Sequence, residues 1–252
     1  MTGPVAPRPL PFLLAPAPDA PFPDPRQALT EPDGLLAVGG DLSPPRLLNA
    51  YRAGIFPWFS DGQPPLWWSP DPRTVFATGR VRLSSRFRRQ LRGSAWVLRA
   101  DTAFDQVLQA CASAPRPGQD GTWITADMAQ AYGQLHRLGH AHSLEVWDDT
   151  GTLVGGIYGV AIGRMFFGES MFSACSGGSK AALAGLSHVL RGWGWPLIDA
   201  QVANDHLTRM GAEPMPRDRF LRKIADLVKQ EGRIGPWTTS VGHLPAATLC
   251  VA

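Results

Sequence analysis

Ser143-Leu144-Glu145-Val146-Trp147-Asp148-Asp149-Thr150-Gly151-Thr152-Leu153-Val154-Gly155-Gly156-Ile157-Tyr158-Gly159-Val160-Ala161-Ile162-Gly163-Arg164-Met165-Phe166-Phe167-Gly168-Glu169-Ser170-Met171-Phe172 is the stretch on which the fold turns. Ser143–Trp147 alternates apolar and polar residues, Asp148–Gly151 is a run of turn formers, and Thr152–Ile162 reads as a glycine-rich strand. Gly163-Arg164 then turns the chain into Met165–Phe172. Three strands joined by short turns predict an antiparallel meander.

Helical patterns lie on both sides. Downstream, Ser179 reads as the cap of a helix over Lys180–Arg191. A short buried strand over Leu197–Val202 follows, then helices near Asn204–Met210 and Arg217–Glu231. Upstream, Ser43 with Pro44 behind it starts a helix through Leu47, Leu48 and Tyr51 that Gly54 stops. The aromatic, proline-rich segment Ile55–Pro72 reads as a loop packed on a core. Ser84–Arg92 is a short basic helix, Thr102–Ala112 another helix, Arg116–Gly121 a loop, and Thr125–Leu138 a helix ended by Gly139. A meander flanked by helices, followed by helix, strand and helix, predicts a mixed α/β (α+β) fold and not a regular βαβ array. The prolines between Pro4 and Pro25 rule out a helix there, so residues 1–25 are expected to form an extended or disordered arm. A small N-terminal domain is expected over 26–75 and the main domain over 76–252.

Composition narrows the function classes. The 252 residues are 44% hydrophobic, which is globular, and the net charge is +3. The positive charge is carried mostly by arginine, since Lys180, Lys223 and Lys229 are the only lysines. Eight arginines and no acid lie between Arg73 and Arg99, a pattern that suits a polyanion and equally a solvated helix face. Three cysteines without a CxxC pair argue against a disulfide framework or a zinc cluster. No apolar run is long enough for a membrane span, no secretory leader is visible, and a cytoplasmic location is the expectation.

Five groups of residues could carry chemistry. Glu169 is a carboxylate in an apolar strand, where it must be used, paired or exposed. Asp199 and Gln201 are two apart on the Leu197–Val202 strand, so a straight strand puts them on one face. There they could orient an attacking amine and a polarised carbonyl, or simply cap the next helix. Ser176-Gly177-Gly178-Ser179-Lys180 opens a helix but lacks GxxxxGK[ST] spacing, which argues against nucleotide hydrolysis. His136, His140 and His142 cluster without HExxH and read as structural; with no GxSxG elbow, a serine hydrolase is disfavoured too. Trp58, Trp67, Trp68 and Trp123 could stack on bases beside the arginines, or be packed inside.

Several strings occur together and in order: Pro32-Asp33-Gly34-Leu35-Leu36-Ala37-Val38-Gly39-Gly40-Asp41-Leu42-Ser43, Gly54-Ile55-Phe56-Pro57-Trp58-Phe59, Trp67-Trp68-Ser69-Pro70-Asp71-Pro72-Arg73, Gly121-Thr122-Trp123-Ile124-Thr125, Leu138-Gly139-His140-Ala141-His142-Ser143, Gly168-Glu169-Ser170-Met171-Phe172, Ile198-Asp199 with Gln201-Val202, and Asn204-Asp205-His206. From about Phe22 to Phe220 the chain resembles the leucyl/phenylalanyl-tRNA–protein transferases. The proline-rich arm and the tail after Glu231 depart from the family pattern, and Ile157 stands where some members carry methionine.

The resemblance implies a cytoplasmic bacterial enzyme that moves Leu or Phe, less readily Met, from aminoacyl-tRNA to proteins beginning with Arg or Lys. It implies that the product is marked for degradation by the N-degron pathway. It implies a main domain similar to the GCN5-type acetyltransferases, no cofactor and no metal; a monomer is expected. By position, Asp199, Gln201 and Glu169 fall at the transfer centre. Trp58 and Trp123 fall on the 3′-terminal adenosine, and Ile157, Phe166 and Ile198 on the Leu or Phe side chain. Arg80, Arg82, Arg86, Arg88, Arg89 and Arg92 fall on the acceptor stem. Two other classes fit some of these features: a CoA-dependent acetyltransferase, and an RNA-binding module without catalysis.

Overall fold

The computed structural model describes residues 9–114 and 123–250. The loop expected over Arg116–Gly121, together with Gly121-Thr122, lies outside the described residues.

In chain order the elements are β1 (Phe12–Leu13), β2 (Leu35–Val38), α1 (Pro44–Arg52), β3 (Phe56–Pro57), β4 (Leu66–Trp68), β5 (Arg73–Ala77), α2 (Ser85–Arg92), β6 (Val97–Ala100), α3 (Phe104–Ser113) and α4 (Ala126–Arg137). They continue with β7 (Ala141–Trp147), β8 (Leu153–Ile162), β9 (Met165–Ser173), α5 (Gly178–Gly192), β10 (Leu197–Gln201), α6 (Asp205–Arg209), β11 (Glu213–Met215), α7 (Arg217–Leu227), α8 (Thr238–Val241) and β12 (Leu244–Pro245). The fold is mixed α/β, and among the described residues no helix is long and apolar enough to cross a membrane.

Two sheets form. The smaller has the order β1-β2-β4-β3, the larger β11-β5-β10-β9-β8-β7-β6-β12. The meander β7-β8-β9 is the centre of the larger sheet, as its short turns require. Its strands are buried on both faces, because one apolar cluster packs each side. The first joins Tyr51, Phe104, Tyr132, Tyr158, Phe167 and Phe220; the second joins Phe76, Phe87, Leu144, Ile157, Phe166 and Trp237. Leu183, Leu186 and Leu190 of α5 fill the second side.

Two local expectations are corrected. Ile55–Pro72 is not a loop: β3 and β4 pair antiparallel within it, and Trp67 is in the core with its indole N–H donating to the Gly39 carbonyl at 2.9 Å. Ser179 does not cap α5. The cap is Gly177, whose φ of 93° only glycine adopts freely, and the Ser179 amide is met by the Ser173 hydroxyl at 2.8 Å. Near the C-terminal end, β12 pairs antiparallel with β6 and so extends the larger sheet. Of the proline-rich arm, residues 9–25 are held in place. Phe12–Leu13 pairs with Ala37–Val38, and the buried Arg46 donates to the carbonyls of Ala15, Pro16 and Ala17 at 3.0, 3.2 and 2.7 Å.

The start of α5 rests directly on β8. A Cβ at Gly155 would lie 2.4 Å from the carbonyl carbon of Gly178, and one at Gly178 would lie 2.2 Å from the Val154 oxygen. Neither backbone can move aside like a side chain. Gly155→Ala is expected to destabilise the protein by about 1–3 kcal/mol through overpacking, read by urea unfolding. Gly192→Ala, at an open position of the same helix, is expected to change stability by less than about 1 kcal/mol. Equal effects of the two would show that the contact is soft.

Candidate active site

Seven of the residues singled out from the sequence border one cavity. β9 and β10 are parallel neighbours, and their pairing runs from Met165–Leu197 to Phe167–Asp199 and then ends. Beyond that point the strands part. The cavity of about 530 Å³ in the opening is bordered by Glu169, Asp199 and Gln201, by Trp58 and Trp123, and by Ile157 and Ile198. Phe76, Met171, Leu183 and Leu207 add to its apolar wall. The size lies in the range of small-molecule sites. Phe166 does not border it. Its side chain is buried in the second cluster, with its ring centre 6.0 Å from that of Trp237.

Both carboxylates sit at irregularities of pairing. In β9, Gly168 pairs with Gly159 and Ser170 with Tyr158, so Glu169 is the extra residue. In β10, Asp199 pairs with Val75 and Gln201 with Thr74, so Ala200 is the extra residue. A bulge breaks the period of two and re-aims side chains. Across this bulge the strand changes sides: Phe167 joins the first cluster and Met171 packs against the second. Gln201 likewise takes a left-handed φ of 54°, and its backbone N–H turns back to Asp199 Oδ1 at 3.0 Å.

Asp199 is fully buried and paired with the equally buried Arg73, Nε to Oδ1 at 2.8 Å and Nη2 to Oδ2 at 2.6 Å. Arg73 Nη1 donates to the Gly54 carbonyl at 3.0 Å. Its guanidinium lies between the rings of Phe56 and Phe220, 4.8 and 4.7 Å from their centres. Arg73 thus leaves the basic run to which its sequence position assigned it. It ties the smaller sheet, α7 and β10 together at the edge of the cavity.

Glu169 is held by two phenols. Tyr51 Oη lies 2.7 Å from Oε1, Tyr132 Oη 2.6 Å from Oε2, and the two Oη atoms are 2.6 Å apart. Three short contacts between three groups need three protons for every contact to be a hydrogen bond. Two phenols supply two, so a protonated Glu169 closes the ring, whereas an ionised one leaves one contact without a proton. Burial pushes the Glu169 carboxyl up to about 7, against the pull of the Tyr132 and Tyr51 donors. Burial, then the Glu169 charge, raises both phenols well above their ordinary range, so they act as donors. Neither tyrosine was singled out for chemistry from the sequence. Their signal was only apolar helical spacing, which any core tyrosine would show.

His136 and His142 are structural. His136 Nδ1 meets the Ala141 carbonyl at 2.8 Å and its ring stacks on Phe104. His142 meets Asp101 at 2.8 Å and stacks on Trp237. Among the described residues no three His, Cys, Asp or Glu side chains gather as a metal site would require. Of the four tryptophans, Trp67 is core, Trp68 and Trp123 are half-buried, and Trp58 is 37% exposed at the cavity. The basic helix forms as expected, with the Ser84 hydroxyl accepting from the Phe87 amide at 3.2 Å. Arg80, Arg82, Arg86, Arg89 and Arg92 are exposed, and Arg88 is half-buried.

Comparison with known proteins gives the family. Residues 75–225 match the model of the leucyl/phenylalanyl-tRNA protein transferase family, and residues 40–71 match that of its N-terminal domain. A leucyl/phenylalanyl-tRNA–protein transferase of Xanthomonas oryzae pv. oryzae (strain MAFF 311018) is 66% identical over 240 residues, covering 95% of this chain and 96% of its own. That of Xylella fastidiosa (strain M23) is 61% identical over 233 residues, covering 92% and 96%. Among solved structures, a functionally unknown conserved protein from Staphylococcus epidermidis superposes with a TM-score of 0.39 at 13% identity, over 57% of each chain. With matches across both sheets and identities of this size, the chain belongs to the leucyl/phenylalanyl-tRNA–protein transferase family and is an aminoacyltransferase.

Proposed function

We propose that this chain moves Leu or Phe, and less readily Met, from aminoacyl-tRNA to the α-amine of proteins that begin with Arg or Lys, in the cytoplasm and as a monomer. We read the product as a substrate of the N-degron pathway. The observation that carries the reading is the apolar cavity at the parting of β9 and β10, with a carboxylate at a bulge on each strand. The parallel pair β9–β10 of the larger sheet, which splays apart, also supports a likeness to the GCN5-type acetyltransferases over 76–252, behind a small domain over 26–75 and the arm over 1–25.

The reaction is aminolysis of an ester. The α-amine attacks the aminoacyl carbonyl, the tetrahedral intermediate collapses, and the ribose hydroxyl leaves with a proton. The ester is already activated, and an α-amine with pKa near 7.7–8.0 is roughly a tenth neutral at pH 7, so positioning is the main requirement. In this reading Trp58 and Trp123 hold the terminal adenosine. Ile157 and Ile198, with Phe166 behind them, shape the side-chain pocket. An apolar pocket separates Leu from Met by only about 1–3 kcal/mol. Asp199, with its oxygens engaged by Arg73 and the Gln201 amide, orients the bulge and does not take the proton. The Gln201 carboxamide is left to address the reacting groups. Glu169 supplies the negative charge that favours a cationic acceptor terminus. Arg80, Arg82, Arg86, Arg88, Arg89 and Arg92 grip the acceptor stem.

The test is transfer of radiolabelled Phe from Phe-tRNA to a protein beginning with Arg, beside one beginning with Gly. Label is expected only on the first, and Asp199→Ala is expected to abolish most of it. Tight binding of charged tRNA without transfer would replace the enzyme reading by an RNA-binding one.

A further inference from the structure

A smaller pocket of about 310 Å³ lies against the other face of α6. Asn204 and Leu207 border the transfer cavity, whereas His206 and Arg209 border the small pocket, each pair one helical turn apart. α5 is shared in the same way, with Lys180 on the small pocket and Leu183 on the large one. Arg82 closes the remaining side from the turn ahead of α2. Its backbone N–H donates to the Met210 carbonyl at 2.7 Å, so that turn and the end of α6 are fixed to each other.

Four cationic or protonatable side chains, Arg82, Lys180, His206 and Arg209, thus converge from three parts of the chain. Among the described residues none of them is paired with a carboxylate. Arg209 Nε donates to the Asp205 carbonyl at 3.0 Å, and Lys180 Nζ lies 5.9 Å from the centre of the Phe87 ring. The His206 imidazole is held below its ordinary proton affinity, by burial first and then by the charges of Lys180 and Arg209. Like charges gathered without a counter-ion repel, and a bound anion relieves that repulsion. Arginine forks beside a lysine suit the oxygens of a phosphate.

We propose that Arg82, Lys180, His206 and Arg209 form a pocket for one phosphate group of the RNA whose 3′ end enters the transfer cavity. The inference rests on the function proposed above and adds Lys180, His206 and Arg209 to the residues that hold the RNA. The phosphate has two possible sources: an internucleotide phosphate of the single-stranded 3′ end, or the 5′-terminal phosphate of the same acceptor stem.

The test is fluorescence anisotropy with labelled CpCpA, and with whole deacylated tRNA with and without its 5′ phosphate, across a salt series. Wild type is compared with Lys180→Gln/Arg209→Gln and, separately, with Arg82→Gln. Arg209→Lys is included to keep the charge, and melting temperatures confirm that each variant folds. Both charge-removing variants are expected to bind about tenfold more weakly, with the salt slope reduced by about 0.7, the share of one single-strand phosphate. Arg209→Lys is expected to retain most of the affinity. Weakening that includes CpCpA assigns the internucleotide phosphate. Weakening confined to tRNA with a 5′ phosphate, and reproduced in wild type by removing that phosphate, assigns the terminal one. Unchanged affinity and slope with every probe overturns the pocket. Label transfer by wild type, measured alongside, separates the two readings: transfer with unaffected variants sinks the pocket alone, and weakened variants without any transfer sink the transferase reading alone.

Discussion

Arg73→Met is expected to lower the free energy of unfolding by about 3–5 kcal/mol and to abolish transfer. The reason is asymmetric. The Arg73–Asp199 pair is fully buried, and removing one partner leaves a charge without water or counter-ion. The Gly54 carbonyl loses its donor in the same step. Arg73→Met/Asp199→Leu, which removes both charges, is expected to recover much of the stability and none of the activity, because the Asp199 acceptor for the Gln201 amide is gone as well. Urea unfolding of the three proteins checks this. A loss below about 1 kcal/mol in Arg73→Met would mean that the pair contributes little to stability.

Glu169→Gln is expected to separate stability from activity in the opposite way. A glutamine closes the ring with Tyr51 and Tyr132 at every pH, donating through its amide and accepting through its oxygen, whereas a glutamate closes it only when protonated. The folded carboxyl titrates near 7 against an ordinary value of 4.5, so between those pH values the folded state holds more protons than the unfolded one. Stability contributed by this group is therefore complete below about 4.5 and is lost as pH rises through 7. Glu169→Gln is expected to match wild type near pH 4.5 and to exceed it by up to about 3 kcal/mol at pH 8, read by urea unfolding across pH. Glu145, buried and also raised to about 7, adds a drift of the same sign to both proteins and cancels from the comparison. Transfer to a protein beginning with Arg is expected to fall at least about tenfold, through a raised KM. Equal pH profiles of stability would show that the ring does not hold the proton.

The parts of the fold legible in the sequence were those written in local pattern. The meander, α1, α4 and α5 announce themselves by turn residues, caps and spacing over a dozen residues. β5, β6, β11 and β12 do not. They are short, and β5 and β6 find their partners only after long intervening stretches, so no window contains the reason for them. The family was legible because its strings are unusual and ordered. At the site, residue identities were legible and their relations were not. A bulge at Glu169 and another at Ala200 switch faces without any sequence mark. Arg73 read as one more member of a basic run, because nothing near it shows that Asp199 will bury it.

The position of β10 between β5 and β9 has a consequence in time. Arg73 is made 126 residues before Asp199. At about 5–20 residues per second on a ribosome, the arginine waits roughly 6–25 s for its carboxylate, with Val75 and Phe76 beside it unable to join the finished sheet. The wedge between β9 and β10 does not exist during that interval. On the function proposed above, a growing chain surrounded by charged tRNA therefore has no site with which to draw on it, and transfer begins only once β10 has been made and inserted between β5 and β9.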